Sequence, residues 1–199
     1  MIADRQTPIT PAVIGFGGSA LSGKSRLSQR VSDALGWPLA SFGDYVRQRA
    51  RERDLGSDRA TLQSIGEDLI NTNLDGFCHA VLSAAGWSPG RPAVLDGVRH
   101  ALVATRLRDI AFPQPFALIL VTATDPIRSK RLVERHLAEP SRIEASTIAE
   151  IDRHSTENDV RRVLPRVADL TVETSSDGDA QLDEVLRWLE QRLGDPWHL

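Results

Sequence analysis

The 199-residue chain holds a single cysteine, Cys78. A lone thiol can form neither an internal disulfide nor a cysteine-based zinc cluster, and it suits a reducing compartment. No apolar run approaches the ~20 residues of a membrane span. The opening MIADRQTPITPAVIGF lacks the charged-then-apolar order of a secretory leader. These absences lead to the expectation of a cytoplasmic protein that does not engage a membrane. An excess of one charge is missing too: 24 basic side chains against 27 acidic ones leave −3. That balance argues against a general nucleic-acid binder. Lysine is nearly absent, with only Lys24 and Lys130 in an arginine-rich basic set, so a lysine inside a motif stands out. His79, His100, His136, His154 and His198 show no His-x-x-x-His spacing and read as surface or packing residues. Trp37, Trp87, Trp188 and Trp197 flank the expected elements and read as packing.

What remains is an ordinary globular composition, 41% hydrophobic and 26% charged. One domain of this size buries roughly 70% of its unfolded surface. Residues 12–16 are short, apolar and β-branched, as in a buried strand, and a glycine-rich turn follows. From Ser25 onward Leu27, Val31 and Leu35 recur at helical spacing until Gly36 and Pro38 stop them. A short strand is expected over 38–42, then a charged helix from about Asp44 and two helices between 58 and 86. Strand 93–95 ends in Asp96, a helix follows it, and 116–121 is the clearest buried strand. A helix opens at Asp125-Pro126, and 136–147 reads as a polar loop or short lid. A charged helix over about 147–163, a strand over 168–172 and an amphipathic helix through Leu193 complete the pattern. Strands alternating with helices imply an α/β fold, a parallel sheet covered on both faces, in one domain.

The strongest chemical signal is Gly18-Ser19-Ala20-Leu21-Ser22-Gly23-Lys24-Ser25, a complete G-x-x-x-x-G-K-[ST] motif between a strand and a helix. The two glycines allow close backbone approach, so that successive N–H groups can line a phosphate-sized concavity. The positive end of the following helix adds to it. Lys24 can reach the β- and γ-phosphates, and the Ser25 hydroxyl can ligate magnesium. Residues 18–25 with Arg26 are therefore the expected ATP site. An overlapping G-x-G-x-x-A dinucleotide pattern begins at Gly15, but it lacks its acidic partner, because Asp33 falls inside the helix.

Asp96 at a strand's carboxyl end is a candidate magnesium ligand, or else a cap for the next helix. Arg47 and Arg99 follow Asp44 and Asp96 on the rim shared with the phosphate loop, where guanidinium forks suit a second phosphate. Arg128, Arg131 and Arg135 form a basic stripe that can neutralise the transferring group or simply face solvent. Asp44 is the candidate base if the acceptor is a hydroxyl, or an acceptor-positioning residue if it is a phosphate.

The phosphate loop, Ser41-Phe-Gly43-Asp44-Tyr-Val-Arg47, Leu95-Asp96-Gly97-Val-Arg99 and Arg131-Leu-Val-Glu-Arg135 occur in an order that resembles the adenylate kinase-like nucleoside monophosphate kinases. Dephospho-CoA kinase, with a hydroxyl acceptor, is a close second resemblance. The likeness implies a three-layer α/β/α P-loop NTPase fold with a five-stranded parallel sheet, a helical acceptor-binding insertion at 55–86 and a short lid at 136–147. It implies ATP-dependent phosphoryl transfer to a small phosphorylated acceptor, with Mg2+ as cofactor, in a monomer or homodimer. Arg47 and Arg99 would grip the acceptor, with Asp44 beside them; Lys24, Arg131 and Arg135 would serve the transfer, and Ser25 and Asp96 the metal. A nucleotide-gated switch or scaffold is the reading from another class.

Overall fold

A computed structural model describes residues 9–138, 147–153, 155–175 and 179–194. Five strands, β1 (Val13–Gly17), β2 (Leu39–Ser41), β3 (Ala93–Asp96), β4 (Phe116–Thr122) and β5 (Leu170–Glu173), form one sheet in the order β2-β3-β1-β4-β5. Every pairing is parallel, with Gly15 of β1 opposite Leu95 on one side and Leu118 on the other. The connecting helices are α1 (Lys24–Leu35), α2 (Phe42–Glu52), α3 (Arg59–Ala84), α4 (Ala101–Ala111), α5 (Asp125–Ala138), α6 (Ile148–Asp152), α7 (Ser155–Arg162) and α8 (Asp179–Leu193). This is the expected five-stranded α/β/α architecture.

Strand periodicity sorts the core into two layers. Val13, Leu118 and Leu120 pack on one face against α2, α3 and α4, whereas Ile14, Phe16, Ile119 and Val121 pack on the other against α1 and α8. Successive residues of a strand point to opposite faces, so strands buried on both sides read as continuous apolar runs. From central β1 the chain crosses to the edge strand β2, returns inward to β3 and then passes to β4 and β5 on the other side, so the connections switch direction at β1 and leave a crevice beyond the carboxyl ends of β1, β3 and β4.

Several boundaries differ from the expected ones. Helix α2 begins at Phe42 because the Ser41 hydroxyl caps it, accepting the Asp44 N–H at 3.3 Å. The two helices expected between 58 and 86 are the arms of α3, bent at Asn73, whose φ of −154° is non-helical. The Asn73 side chain accepts the Gly76 N–H at 3.0 Å and restarts the second arm. The charged helix expected over 147–163 is two helices, α6 opening with a Thr147–Glu150 capping box. The last strand starts two residues and ends one residue later than expected, and α5 runs through Ala138 into the segment expected as a lid. The remainder of that lid, 139–146, lies outside the described residues, as do His154, Trp197 and His198. Among the described residues no helix is long and apolar enough to cross a membrane.

Cys78 sits on α3 with no exposed surface, and burial pushes its thiol up to about 12. Only a thiolate attacks a disulfide reagent, so a raised value keeps the neutral, inert form across the ordinary pH range. The native protein is expected to give no reaction with such a reagent at about pH 8, and one equivalent after denaturation. Rapid labelling of the folded protein would contradict this placement.

Candidate functional site

The loop between β1 and α1 is built under conformational constraint. Gly18 has φ +152°, and a side chain there would collide with the Val121 carbonyl; Gly23 has φ +89°. Leu21 adopts φ 65°, an uncommon left-handed value for a residue with a branched side chain. The backbone keeps this shape because its carbonyls are held from behind. Arg128 Nε donates to Ala20 O at 3.1 Å, Arg131 Nη1 to Leu21 O at 3.0 Å and Thr174 Oγ1 to Ser22 O at 2.5 Å. Helix α1 follows at once, with Gly23 as an N-cap that offers no side-chain bond and no acidic residue in the first turn. Its first N–H groups have no partner within the helix, and they carry the positive end of the dipole. The combination suits an anion.

Lys24 and Ser25 enter this concavity from the first turn of α1, and Asp96 enters from the end of β3. Ser25 Oγ donates to Asp96 Oδ2 at 2.7 Å, while Lys24 Nζ lies 3.8 Å from Asp96 Oδ1. Burial pushes the Lys24 ammonium below its ordinary range; Asp96 and Glu157 oppose this shift, and Arg99 and Arg135 add to it. Such a group gains from a polyanion that restores a favourable field for its charge. Asp96 Oδ1 is buried without a hydrogen-bond partner. A hydroxyl and a carboxylate oxygen with an unused lone pair are hard donors of the sort magnesium takes alongside phosphate and water. Among the described residues no cluster of three or more His, Cys, Asp or Glu offers a full protein cage.

The loop opens into a cleft of ≈1990 Å³ that Ser19 through Arg26, Arg47, Arg99, Arg131 and Arg135 all line. Asp44 lies to one side, in a smaller groove with Ser25, Ser41 and Asp96. Its Oδ1 accepts from Arg47 Nη2 at 2.6 Å, and the carboxylate is 74% exposed. The far wall of the cleft comes from α2, α3 and α4 and is mixed: Leu62 and Ile70 lie among Arg51, Arg59, Gln63 and Glu67, while Phe42, Val46, Phe77 and Val103 are almost wholly buried behind them. Phe42 and Phe77 meet edge to face with centroids 5.0 Å apart. Arg131 is committed beyond the loop as well, donating to Thr174 Oγ1 at 2.9 Å and Ser175 O at 3.0 Å.

One expected feature is corrected. Arg128 does not share an open basic stripe with Arg131 and Arg135; it is 1% exposed, pairing with Asp152 at 2.6 Å and Asp125 at 3.1 Å behind the loop. The exposed Arg153 caps the end of α6. Three residues that the sequence reading passed over belong to the site. Thr174 follows β5, Arg59 opens α3 directly after its Asp58 N-cap, and Glu157 sits on α7 with no exposed surface. Glu157 accepts the Ala20 N–H and pairs with Arg59 and Arg99. A strand-end position would have pointed to Thr174; nothing local marks Glu157.

A strand, a braced glycine loop and a helix carrying Lys24-Ser25, with an acid at a neighbouring strand end, define a P-loop nucleotide-binding protein. The chain belongs to the AAA_18 family, described as an AAA domain, whose model matches residues 14–152. A protein designated UPF0200 from Methanoculleus marisnigri is 29% identical over 130 residues, 65% of this chain and 69% of that protein. A gluconokinase structure from Sinorhizobium meliloti superimposes with TM-score 0.61 at 17% identity, covering 94% of this chain and 95% of that one. The Mycobacterium tuberculosis APS kinase in complex with AMPPNP and APS gives TM-score 0.58 at 21% identity, covering 92% and 99%. At these identities the structural likeness establishes the P-loop kinase fold.

The Arg128 brace has a direct test. Losing one partner of a buried ion pair costs about 3–5 kcal/mol. Because Arg161 also holds Asp152, at 2.6 Å, R128A is expected near the lower end, about 3 kcal/mol in urea unfolding. It should also weaken nucleotide binding, since Ala20 O is released. Wild-type stability in R128A would refute the brace.

Proposed function

We propose that the protein is a magnesium-dependent P-loop kinase that transfers the γ-phosphoryl group of ATP to a small phosphorylated acceptor, a nucleoside or deoxynucleoside monophosphate being the best fit. The reading rests on one observation: Lys24, Ser25 and Asp96 share a cleft with Arg47 and Arg99, so a triphosphate seat and a second anion seat lie together. The partly buried Leu62 and Ile70 on the α3 wall offer apolar contact to a flat, weakly polar group of the acceptor. The order of motifs resembles that of the adenylate kinase-like kinases, and α3 would correspond to their acceptor-binding helices.

In this reading the loop amides and Lys24 hold the β- and γ-phosphates, and Arg26 sits at the mouth of the ATP seat. Ser25 and Asp96 would hold Mg2+, which supplies charge neutralisation on the phosphate oxygens. An oxygen of the acceptor phosphate attacks Pγ as the bond from Pγ to the β–γ bridging oxygen breaks, releasing ADP. The acceptor is already ionised at neutral pH, so the protein supplies alignment and charge, not a base. Arg47 and Arg99 orient the acceptor, Asp44 fixes the Arg47 fork, and Arg135 with Arg131 offsets charge on the transferring group.

A second reading, transfer to a hydroxyl as in dephospho-CoA kinase, draws on the exposed Asp44 carboxylate in the groove beside Ser25 and Asp96. The two readings part on substitution of Asp44 by Asn: a base loses most of its kcat, whereas a positioning group mainly raises the acceptor KM.

Two outcomes are expected in a coupled assay of ADP release across nucleoside monophosphates, dephospho-CoA and small sugars. K24A should lower kcat by about 10²–10³-fold with an unchanged circular dichroism spectrum, since it removes a donor to developing charge. R47A or R99A should raise the acceptor KM about tenfold while moving that for ATP by less than about threefold. Full turnover in K24A sinks the kinase assignment. Tight nucleotide binding with no acceptor turnover would favour a switch instead.

A further inference from the structure

Glu157 is an anomaly: it is buried directly behind the wall of a cleft that, on the kinase reading, receives anions. Its carboxylate is fully buried, and it faces cations: Arg59 Nη2 donates to Oε1 at 3.1 Å and Arg99 Nη1 at 2.8 Å. The backbone N–H of Ala20 reaches both oxygens at 3.2 Å. Lys24 also lies within its electrostatic reach. If anion affinity were the only requirement, a fixed negative charge here would be the wrong residue, because it repels every phosphate that enters.

What the carboxylate does is join three segments remote in sequence. Ala20 belongs to the phosphate loop, Arg59 to the first turn of α3 and Arg99 to the turn after β3. Each guanidinium spends one nitrogen on Glu157, stays about a third exposed and lines the cleft, which leaves it further N–H groups with which to meet a second anion. Thr156 Oγ1, buried without a hydrogen-bond partner, lines the same cleft. An unpinned arginine samples many rotamers, and an in-line transfer tolerates little misplacement of either phosphate.

From this the geometry points to Glu157 as a positioning residue of phosphoryl transfer, one that aligns Arg59 and Arg99 against Ala20 of the phosphate loop while lowering the site's affinity for anions. Arg59 thereby joins Arg47 and Arg99 on the acceptor side. The inference rests on the kinase reading above, but its central contrast can be read without turnover.

The experiment compares wild type with E157Q and E157A, using inorganic phosphate titrated calorimetrically into protein saturated with AMPPNP and magnesium, together with steady-state kinetics. Loss of the charge should tighten phosphate binding about tenfold, and loss of alignment should lower kcat about 10²-fold without raising either KM. R59A should weaken phosphate binding about tenfold with AMPPNP binding held within about threefold. A strut with a purely structural role gives a different pattern, weaker binding of every ligand in step with lost stability, and that pattern overturns the proposal. So does phosphate affinity unchanged in E157Q, or kcat within about threefold of wild type. Should E157A fail to fold, the near-isosteric E157Q decides. If the wild type turns over no acceptor, the kinase reading fails, and the phosphate titration still judges the placement of Glu157.

Discussion

The site depends on how the phosphate loop is held from behind. A loop with positive φ at Gly18, Leu21 and Gly23 is not a conformation that the chain keeps unaided. Three donors, Arg128, Arg131 and Thr174, take the carbonyls of Ala20, Leu21 and Ser22. Carbonyls held in this way cannot turn into the concavity and repel a phosphate. The buried Arg128 is satisfied in turn by Asp152 and Asp125, so a charge with 1% exposure is not left without partners. The loop is thus the surface of a hydrogen-bonded assembly that includes α5, α6 and the end of β5.

Helices α6 and α7 bear on both the loop and the turn after β3. Asp152 on α6 reaches behind the loop, Glu157 on α7 reaches its front, and Asp159 lies 3.2 Å from His100 Nδ1 beside the start of α4. A displacement of α6 and α7 would therefore disturb both halves of the cleft at once. Coupling of this kind needs no long pathway, since one short stretch of chain touches both regions directly.

Much of the fold was legible because its signals are local. Apolar β-branched runs marked β1 and β4, the spacing of Leu27, Val31 and Leu35 marked α1, and the glycines with Lys24 and Ser25 marked the turn between strand and helix. Asp96 was legible from its place at a strand's end. The rest was hidden for a physical reason. Whether an arginine such as Arg128 faces water or fills the interior depends on Asp152 and on Ala20, the latter 108 positions away. Glu157 meets Ala20 across 137 positions, and no periodicity within α7 announces that contact. Boundaries moved where a side chain competed with the backbone, as Ser41 did at α2 and Asn73 within α3.

Central β1 is hydrogen-bonded to β3 and β4, and the loop it launches is completed by Thr174, which lies 152 positions beyond its partner Ser22. The motif at 18–25 is therefore not sufficient for its own cavity: the glycines, Lys24 and Ser25 are local, but the donor that fixes the Ser22 carbonyl arrives from beyond β5. A fragment cut before Thr174 would keep every residue of the motif and lose one of its three braces.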